Sequence, residues 1–121
     1  MFFLITNNPK FLDWPHGKVL YKEEAYLDVF LRARNYVQKN YKLMTHPLYG
    51  NFTPNATPFR TICLTEGSKF DMDSETLMEL AIEKVKRILE MDRRKILPQS
   101  VVDDYAFIDY TLITEALQPY L

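Results

Sequence analysis

The chain contains few of the residues on which several classes of functional site depend. Its 121 residues include one cysteine and three glycines. The single Cys63 excludes an internal disulfide and a metal cage built from several cysteines. The sequence contains no Walker or dinucleotide fingerprint, and so few glycines exclude a glycine-rich loop that cradles phosphate. We therefore expect neither a cofactor nor a metal site.

Excess positive charge and long apolar runs are also missing. Fifteen basic residues and sixteen acidic ones give a net charge of -1, so the broad positive field of a nucleic-acid binder is lacking. The one dense basic run, Arg93-Arg94-Lys95, follows a predicted helix and is interpreted as its solvated end. No segment is long enough to cross a bilayer or to form a signal peptide. These features predict a cytoplasmic protein that binds neither nucleic acid nor membrane.

What the sequence does contain is an unusual loop at residues 45–58. Three of the seven prolines fall within it, and their fixed φ angles and missing N–H groups exclude a helix or a central strand. Leu48, Tyr49 and Phe52 supply apolar surface that can hold the loop in place. Long irregular loops in small domains are usually functional or disordered. The loop therefore indicates where a site lies, but not its chemistry.

Short apolar runs and helical periodicity predict the remaining elements. The predicted strands cover residues 2–5, 18–21, 42–44 and 61–65. A first amphipathic helix covers residues 24–39, and a second carries a wide apolar stripe over residues 77–89. Asp73 or Ser74 is the predicted cap of the second helix, and the acidic residues around them are interpreted as a helix start rather than a cation site.

The C-terminal segment has two interpretations. Residues 100–117 have apolar positions at helical spacing, yet residues 107–113 are aromatic and β-branched enough for a strand. The cautious prediction keeps only residues 109–117 helical.

Strands separated by helices predict a single α/β domain. We expect three layers, with a mostly parallel sheet of roughly four strands and helices packed on it. Ligands of such sheets collect beyond the carboxyl ends of the strands. On this topology Asn7, Asn8, Thr45 and His46 emerge at one edge and, together with Glu66, share one cleft.

The first candidate for catalysis is His46, because imidazole exchanges protons near neutral pH and acts as a base, a donor or a ligand. The alternative is a ring that hydrogen-bonds backbone groups and stiffens the loop. Asn7 and Asn8 can hold a carboxylate or amide ligand, but Asn before proline is also a common turn former. Asn51 and Asn55 have the same two interpretations, with the turn role favoured. The predicted ligand-binding set is Asn7, Asn8, Thr45, His46 and Asn55.

Two further reactive residues are poorer candidates. Cys63 lies in a predicted strand, where cysteine is most often a small buried hydrophobic residue. His16 lies in an ordinary turn between Pro15 and Gly17. We assign neither of them to the site.

Three stretches of the sequence resemble the GrdX family. They are Leu4 to Pro9, Tyr26 to Val29, and the residues from Leu43 to Leu48 and from Pro54 to Phe59. The similarity covers most of the chain, from the first strand into the second helix. GrdX proteins are small, and their genes accompany those of glycine, sarcosine and betaine reductases of amino-acid-fermenting anaerobes.

The resemblance implies a metabolic context rather than a reaction, because the family has no established activity or agreed catalytic residues. It implies an accessory protein of these reductases. We expect this protein to bind a small polar metabolite or a reductase subunit through the Asn7-Asn8 and His46 face. Two alternatives remain: a small hydrolase or transferase with His46 as general base, and a non-catalytic docking protein. The oligomeric state is not predicted.

Overall fold

The computed structural model describes residues 1–50, 52–92 and 96–121, so Asn51 and the basic run at residues 93–95 lie outside the described part. The described strands are β1 (Phe2–Thr6), β2 (Lys18–Tyr21), β3 (Lys42–Leu43) and β4 (Thr61–Thr65). The described α-helices are α1 (Tyr26–Val37), α2 (Met72–Met91) and α3 (Gln99–Ala116). Short 3-10 helices lie at Pro9–Phe11 and Gln118–Tyr120.

The predicted strands and helices are confirmed in type, and the ambiguous C-terminal segment is one helix. The strand interpretation of residues 107–113 is therefore wrong. Ala106, Asp109 and Ile113 are the buried residues of α3, and their spacing of three and four places them on one helical face. Packing of that face outweighs the β-propensity of its neighbours.

The strands form a mixed sheet in the order β2-β1-β4-β3. Strands β1 and β2 are parallel, whereas β4 is antiparallel to both β1 and β3. The prediction of a mostly parallel sheet is therefore wrong. A parallel neighbour requires a crossover to the other end of the sheet, but the connection from β3 to β4 is the proline loop. This loop brings the chain back into the sheet at the same end at which β3 finishes, so β4 runs in the opposite direction to β3.

The two faces of the sheet pack against different helices, because side chains alternate along each strand. Phe3 and Ile5 of β1 lie in a cluster with buried residues of α1 and α2. Leu4, between them, lies in a second cluster with Cys63 of β4 and Ile113 of α3. Burying each large apolar side chain contributes about 1.5–3 kcal/mol. Both faces of β1 are thereby held in the interior.

The cap of α2 lies two residues before Asp73 and three before Ser74, the two predicted caps. Asp71 is the N-cap, and its carboxylate accepts hydrogen bonds from Ser74 N at 3.1 Å and Ser74 Oγ at 2.5 Å. Ser74 Oγ in turn accepts a hydrogen bond from Leu43 N at 3.0 Å. The acidic residues there serve the helix start as interpreted, and the cap links α2 to β3.

Candidate functional site

Three chain segments with polar side chains meet at one end of the sheet. Asn7 and Asn8 follow β1, the loop of residues 45–58 follows β3, and Arg60 precedes β4. Because β4 runs opposite to β1 and β3, its beginning lies at the end where the other strands finish. Glu66 follows β4 and lines a groove with Met1 and Phe2 at the opposite end. The expectation that Glu66 shares the cleft is therefore wrong.

Asn7 ties the end of β1 to two other segments. Its side-chain nitrogen donates to Glu24 O at 3.0 Å and to Pro58 O at 2.9 Å. Its side-chain oxygen accepts a hydrogen bond from Arg60 N at 3.0 Å. Both amide hydrogens are thus used within the protein. Asn7 is buried, and its hydrogen bonds hold the segment before α1 and the end of the proline loop beside β1.

Asn8 holds the third segment, helix α3. Its side-chain nitrogen donates to Ala106 O at 2.9 Å and to Asp109 Oδ2 at 3.1 Å. Its side-chain oxygen accepts a hydrogen bond from Lys10 N at 3.0 Å and caps the first 3-10 helix. Asn8 is completely buried. Asn8 therefore has the turn-forming role that was considered for it, and its side chain also fixes α3 against the sheet.

The segments held by the two asparagines form the walls of an open cleft of about 500 Å³. Its lining residues are Asn7, Pro9, Tyr21, Glu23, Glu24, Ala25, Pro58, Phe59, Gln99, Val102, Asp103 and Ala106. The cleft lies beyond the carboxyl ends of the parallel pair β1 and β2, where the open-sheet rule places ligands. Asn8 lies behind its wall through the bond to Ala106.

The described lining of this cleft is acidic. Glu23, Glu24 and Asp103 belong to it, and none of the described residues that line it is a lysine, arginine or histidine. Glu24 forms an ion pair with Arg32, N to O 2.5 Å, and Asp103 accepts a hydrogen bond from Gln99 Nε2 at 2.9 Å. Glu23 is exposed. Tyr21 and Phe59 add aromatic surface, which favours cations over anions.

Behind the cleft, Tyr49 contacts two buried charged residues, Arg60 and Asp109. The Tyr49 ring lies 4.1 Å from the Arg60 guanidinium, and the Tyr49 carbonyl accepts a hydrogen bond from Arg60 Nη1 at 2.9 Å. The Tyr49 hydroxyl donates to Asp109 Oδ1, and the other carboxylate oxygen accepts a hydrogen bond from Thr61 at 2.7 Å. The proline loop is therefore anchored to β4 and α3 by charge-assisted bonds.

The tyrosines of this network remain protonated across the physiological range. Burial raises the pKa of Tyr49 well above its usual value, and the nearby negative charge of Asp109 raises it further. Burial likewise raises the pKa of Tyr26, although the positive charge of Arg60 partly offsets it. Tyr49 is thus a hydrogen-bond donor to Asp109, not a general base.

A second, much smaller cavity adjoins Arg60 and Asp109 between the proline loop and α3. Its volume is about 10 Å³, which is room for about one water molecule. The buried Arg60 Nε has no hydrogen-bond partner among the described residues. The cavity has no space for a metabolite.

The remaining predicted ligand-binding residues lie outside the acidic cleft. His46 is exposed, and its Nδ1 accepts a hydrogen bond from Leu48 N at 3.0 Å. This is the loop-stiffening bond considered as the alternative for His46. Thr45 is partly buried, and Asn55 donates to Asp92 Oδ2 at 2.7 Å. The structure therefore brings Asn7 and Asn8 together, and it does not place these three in the cleft.

The residues given low priority have ordinary surroundings. Cys63 is buried in β4, and burial raises the pKa of its thiol to about 12. His16 is exposed, and its ring packs edge-on against Trp14 at 5.3 Å. Within the described ranges, no three His, Cys, Asp or Glu residues are placed to hold a metal ion.

Sequence reasoning missed Arg60 and Asp109, although both carry a signal. Arg60 is two residues before Ile62 and four before Leu64, both of which are core residues. Since alternate residues of a strand point to the same face, an inward position is expected for Arg60. Asp109 lies four residues before Ile113 on the face of α3 that meets the sheet. A charged residue on a buried stripe indicates a paired, structurally or functionally important group.

None of the described helices has both the length and the apolar character required to traverse a bilayer.

The fold and cleft define a small α/β protein with a four-stranded mixed sheet and an acidic cleft at one end. The family model for GrdX-like proteins matches residues 3–118. The chain therefore belongs to the GrdX-like family, and the resemblance found in its motifs is confirmed. No curated protein and no solved structure gave a significant match.

Proposed function

We propose that this protein is an accessory protein of glycine, sarcosine or betaine reductase metabolism, and that it binds the ammonium group of a small metabolite in the acidic cleft. The cleft is the observation that carries the proposal: about 500 Å³ at the end of β1 and β2, with three acidic residues and no basic one among the described residues of its lining. The reductase context rests on membership of the GrdX-like family.

The charges of the cleft define the ligand class. Glu24 is paired with Arg32, whereas the described lining contains no basic side chain to neutralise Glu23 and Asp103. An ammonium group restores the balance, and Tyr21 and Phe59 offer aromatic faces to it. Ammonium-bearing metabolites such as glycine, sarcosine and betaine fit this chemistry better than acyl phosphates do. Asn7 holds the walls in place and need not contact the ligand.

The test is a binding series by thermal shift and calorimetry, with the zwitterions glycine, sarcosine and betaine as ammonium-bearing probes and acetyl phosphate as the anionic one. A ligand at 100 times its Kd stabilises the native state by about 2.7 kcal/mol. We expect at least one ammonium-bearing probe to stabilise wild type, and the double variant Glu23→Gln, Asp103→Asn to lose the effect.

Matched controls separate the cleft from the rest of the surface. Asp104→Asn removes an exposed carboxylate of α3 outside the lining, and His46→Ala removes the exposed loop imidazole. Both should bind like wild type. Equal binding by wild type and the double variant would contradict a binding site in the cleft. Loss of binding in His46→Ala would instead indicate a binding site at the proline loop. No response to any probe would reject metabolite binding.

A docking function is the second candidate, because Phe52 of the proline loop is 38% exposed. Exposed aromatic side chains are typical anchors of protein interfaces. On this proposal the protein binds a reductase subunit in the cytoplasm. Pull-down with purified reductase subunits tests it, and a Phe52→Ser variant that captures them as well as wild type would contradict it.

A further inference from the structure

Helix α2 has a second apolar face that does not contact the core. Its core side comprises Met78, Ala81, Ile82 and Val85. On the outer side, Leu77, Leu80, Lys84, Ile88 and Met91 recur at spacings of three and four, which places them along one line. We call these five residues the α2 stripe. Leu80 is 59% exposed and Met91 is 80% exposed, so the stripe is largely open to solvent.

The proline loop extends this face into a groove. Leu48, Gly50, Phe52, Thr53 and Pro54 line a depression of about 210 Å³ together with Lys84 and Ile88. Apolar side chains of the loop and of the α2 stripe therefore form one continuous surface. A helix with two apolar faces buries one in its own core and offers the other to a partner.

Lys84 is the central residue of the α2 stripe and also lines the groove. No carboxylate of the described residues lies within ion-pair distance of it. When an apolar partner covers the groove, the Lys84 ammonium loses water and requires a hydrogen-bonding anion. The surface therefore favours a partner with a carboxylate at the centre of its own apolar stripe.

A second copy of this chain does not meet that requirement. Antiparallel pairing of two α2 stripes sets Leu77 against Met91 and Leu80 against Ile88. The same pairing sets Lys84 against Lys84 of the second copy, which is a like-charge contact in an apolar surrounding. Self-association through this face is therefore opposed at its centre.

We propose that the α2 stripe and the adjoining groove of the proline loop dock an amphipathic helix of another protein whose apolar face carries a central Glu or Asp. Helix-in-groove recognition uses apolar anchors at the spacing found in the stripe. The central ion pair then fixes the register of the two helices, as single polar residues do in coiled coils. This surface is independent of the acidic cleft.

The experiment uses two labelled synthetic helical peptides in fluorescence anisotropy with the full chain. Both carry leucines at helical spacing, and they differ only in a central Glu or Lys. We expect wild type to prefer the Glu peptide by roughly tenfold or more. Lys84→Glu should reverse that preference, and Leu80→Ser should weaken binding of both. Lys84 and Leu80 are exposed, so circular dichroism should show wild-type folding.

Several outcomes would overturn the proposal. They are absence of binding by wild type, equal affinity for the two peptides, and an unchanged preference in Lys84→Glu. A wild-type dimer in sedimentation that Leu80→Ser makes monomeric would mean that a second copy occupies the surface. Met91→Ser provides an independent variant of the stripe, and unaltered peptide affinity in it would contradict the docking geometry.

Discussion

Asn8 and Asp109 are 101 residues apart in the chain and are joined by a hydrogen bond of 3.1 Å between the amide nitrogen and a carboxylate oxygen. Both side chains are buried. The bond fastens α3 to the end of β1, and Ala106 of α3 forms part of the wall of the acidic cleft. The cleft therefore depends on a contact between the two ends of the sequence.

Replacing Asp109 should be strongly destabilising. Asp109→Ala leaves the donors of Asn8, Tyr49 and Thr61 without their acceptor in a buried site. We expect the free energy of unfolding to fall by about 3 kcal/mol, the range found when a buried polar network loses its charged member. Urea denaturation measures it. Asp104→Ala, at an exposed position of the same helix, is the control, and equal stability of the two variants would refute the network.

The Asp71 cap should make stability depend on pH in the acid range. Its hydrogen bonds with Ser74 lower the pKa of Asp71 below the ordinary 3.8. A lowered folded-state pKa contributes stability above the unfolded value that is lost as pH falls through the folded one. Asp71→Asn should therefore have a lower Tm than wild type above about pH 4, and the difference should vanish on further acidification. Asp73→Asn should lower the Tm by less than Asp71→Asn does. A Tm difference between wild type and Asp71→Asn that grows as the pH falls would contradict the assigned role of Asp71.

Two glycine substitutions should have very different effects. A Cβ at Gly67 would collide with the backbone oxygen of Asn40, whereas one at Gly17 would meet only ordinary contacts at 3.7 Å. Gly67→Ala should therefore lower the free energy of unfolding by about 1–3 kcal/mol. Gly17→Ala should leave it within about 0.5 kcal/mol. Chemical denaturation compares them, and similar losses at both positions would disprove the steric explanation.

The thiol of Cys63 should be inert in the folded protein. Burial raises its pKa to about 12, so the reactive thiolate is scarce at neutral pH. We expect a disulfide reagent at pH 8 to modify native protein only as fast as the chain opens, and denatured protein at once. Rapid labelling of native protein would place Cys63 at an accessible site.

Local residue patterns determined the type of nearly every element. The apolar runs at residues 18–21 and 61–65 coincide with β2 and β4, and the periodicity of residues 24–39 contains α1. The loop of residues 45–58 has no helix or strand among its described residues. These features follow from short-range effects, because proline geometry and side-chain periodicity act over a few residues.

Tertiary structure decided strand direction and the composition of the cleft. The proline loop returns the chain at the edge where β3 ends, so β4 runs antiparallel, and no local propensity encodes that direction. Asn7 and Asn8 were candidates from sequence, but Arg60 and Asp109 find their partners in distant segments. Glu23 and Asp103 line one cleft only because the fold brings their segments together. A residue's neighbours across the sheet depend on strand order. The chain by itself thus determined the elements and where the unusual loop lies, and only packing decided which charges meet at the end of the sheet.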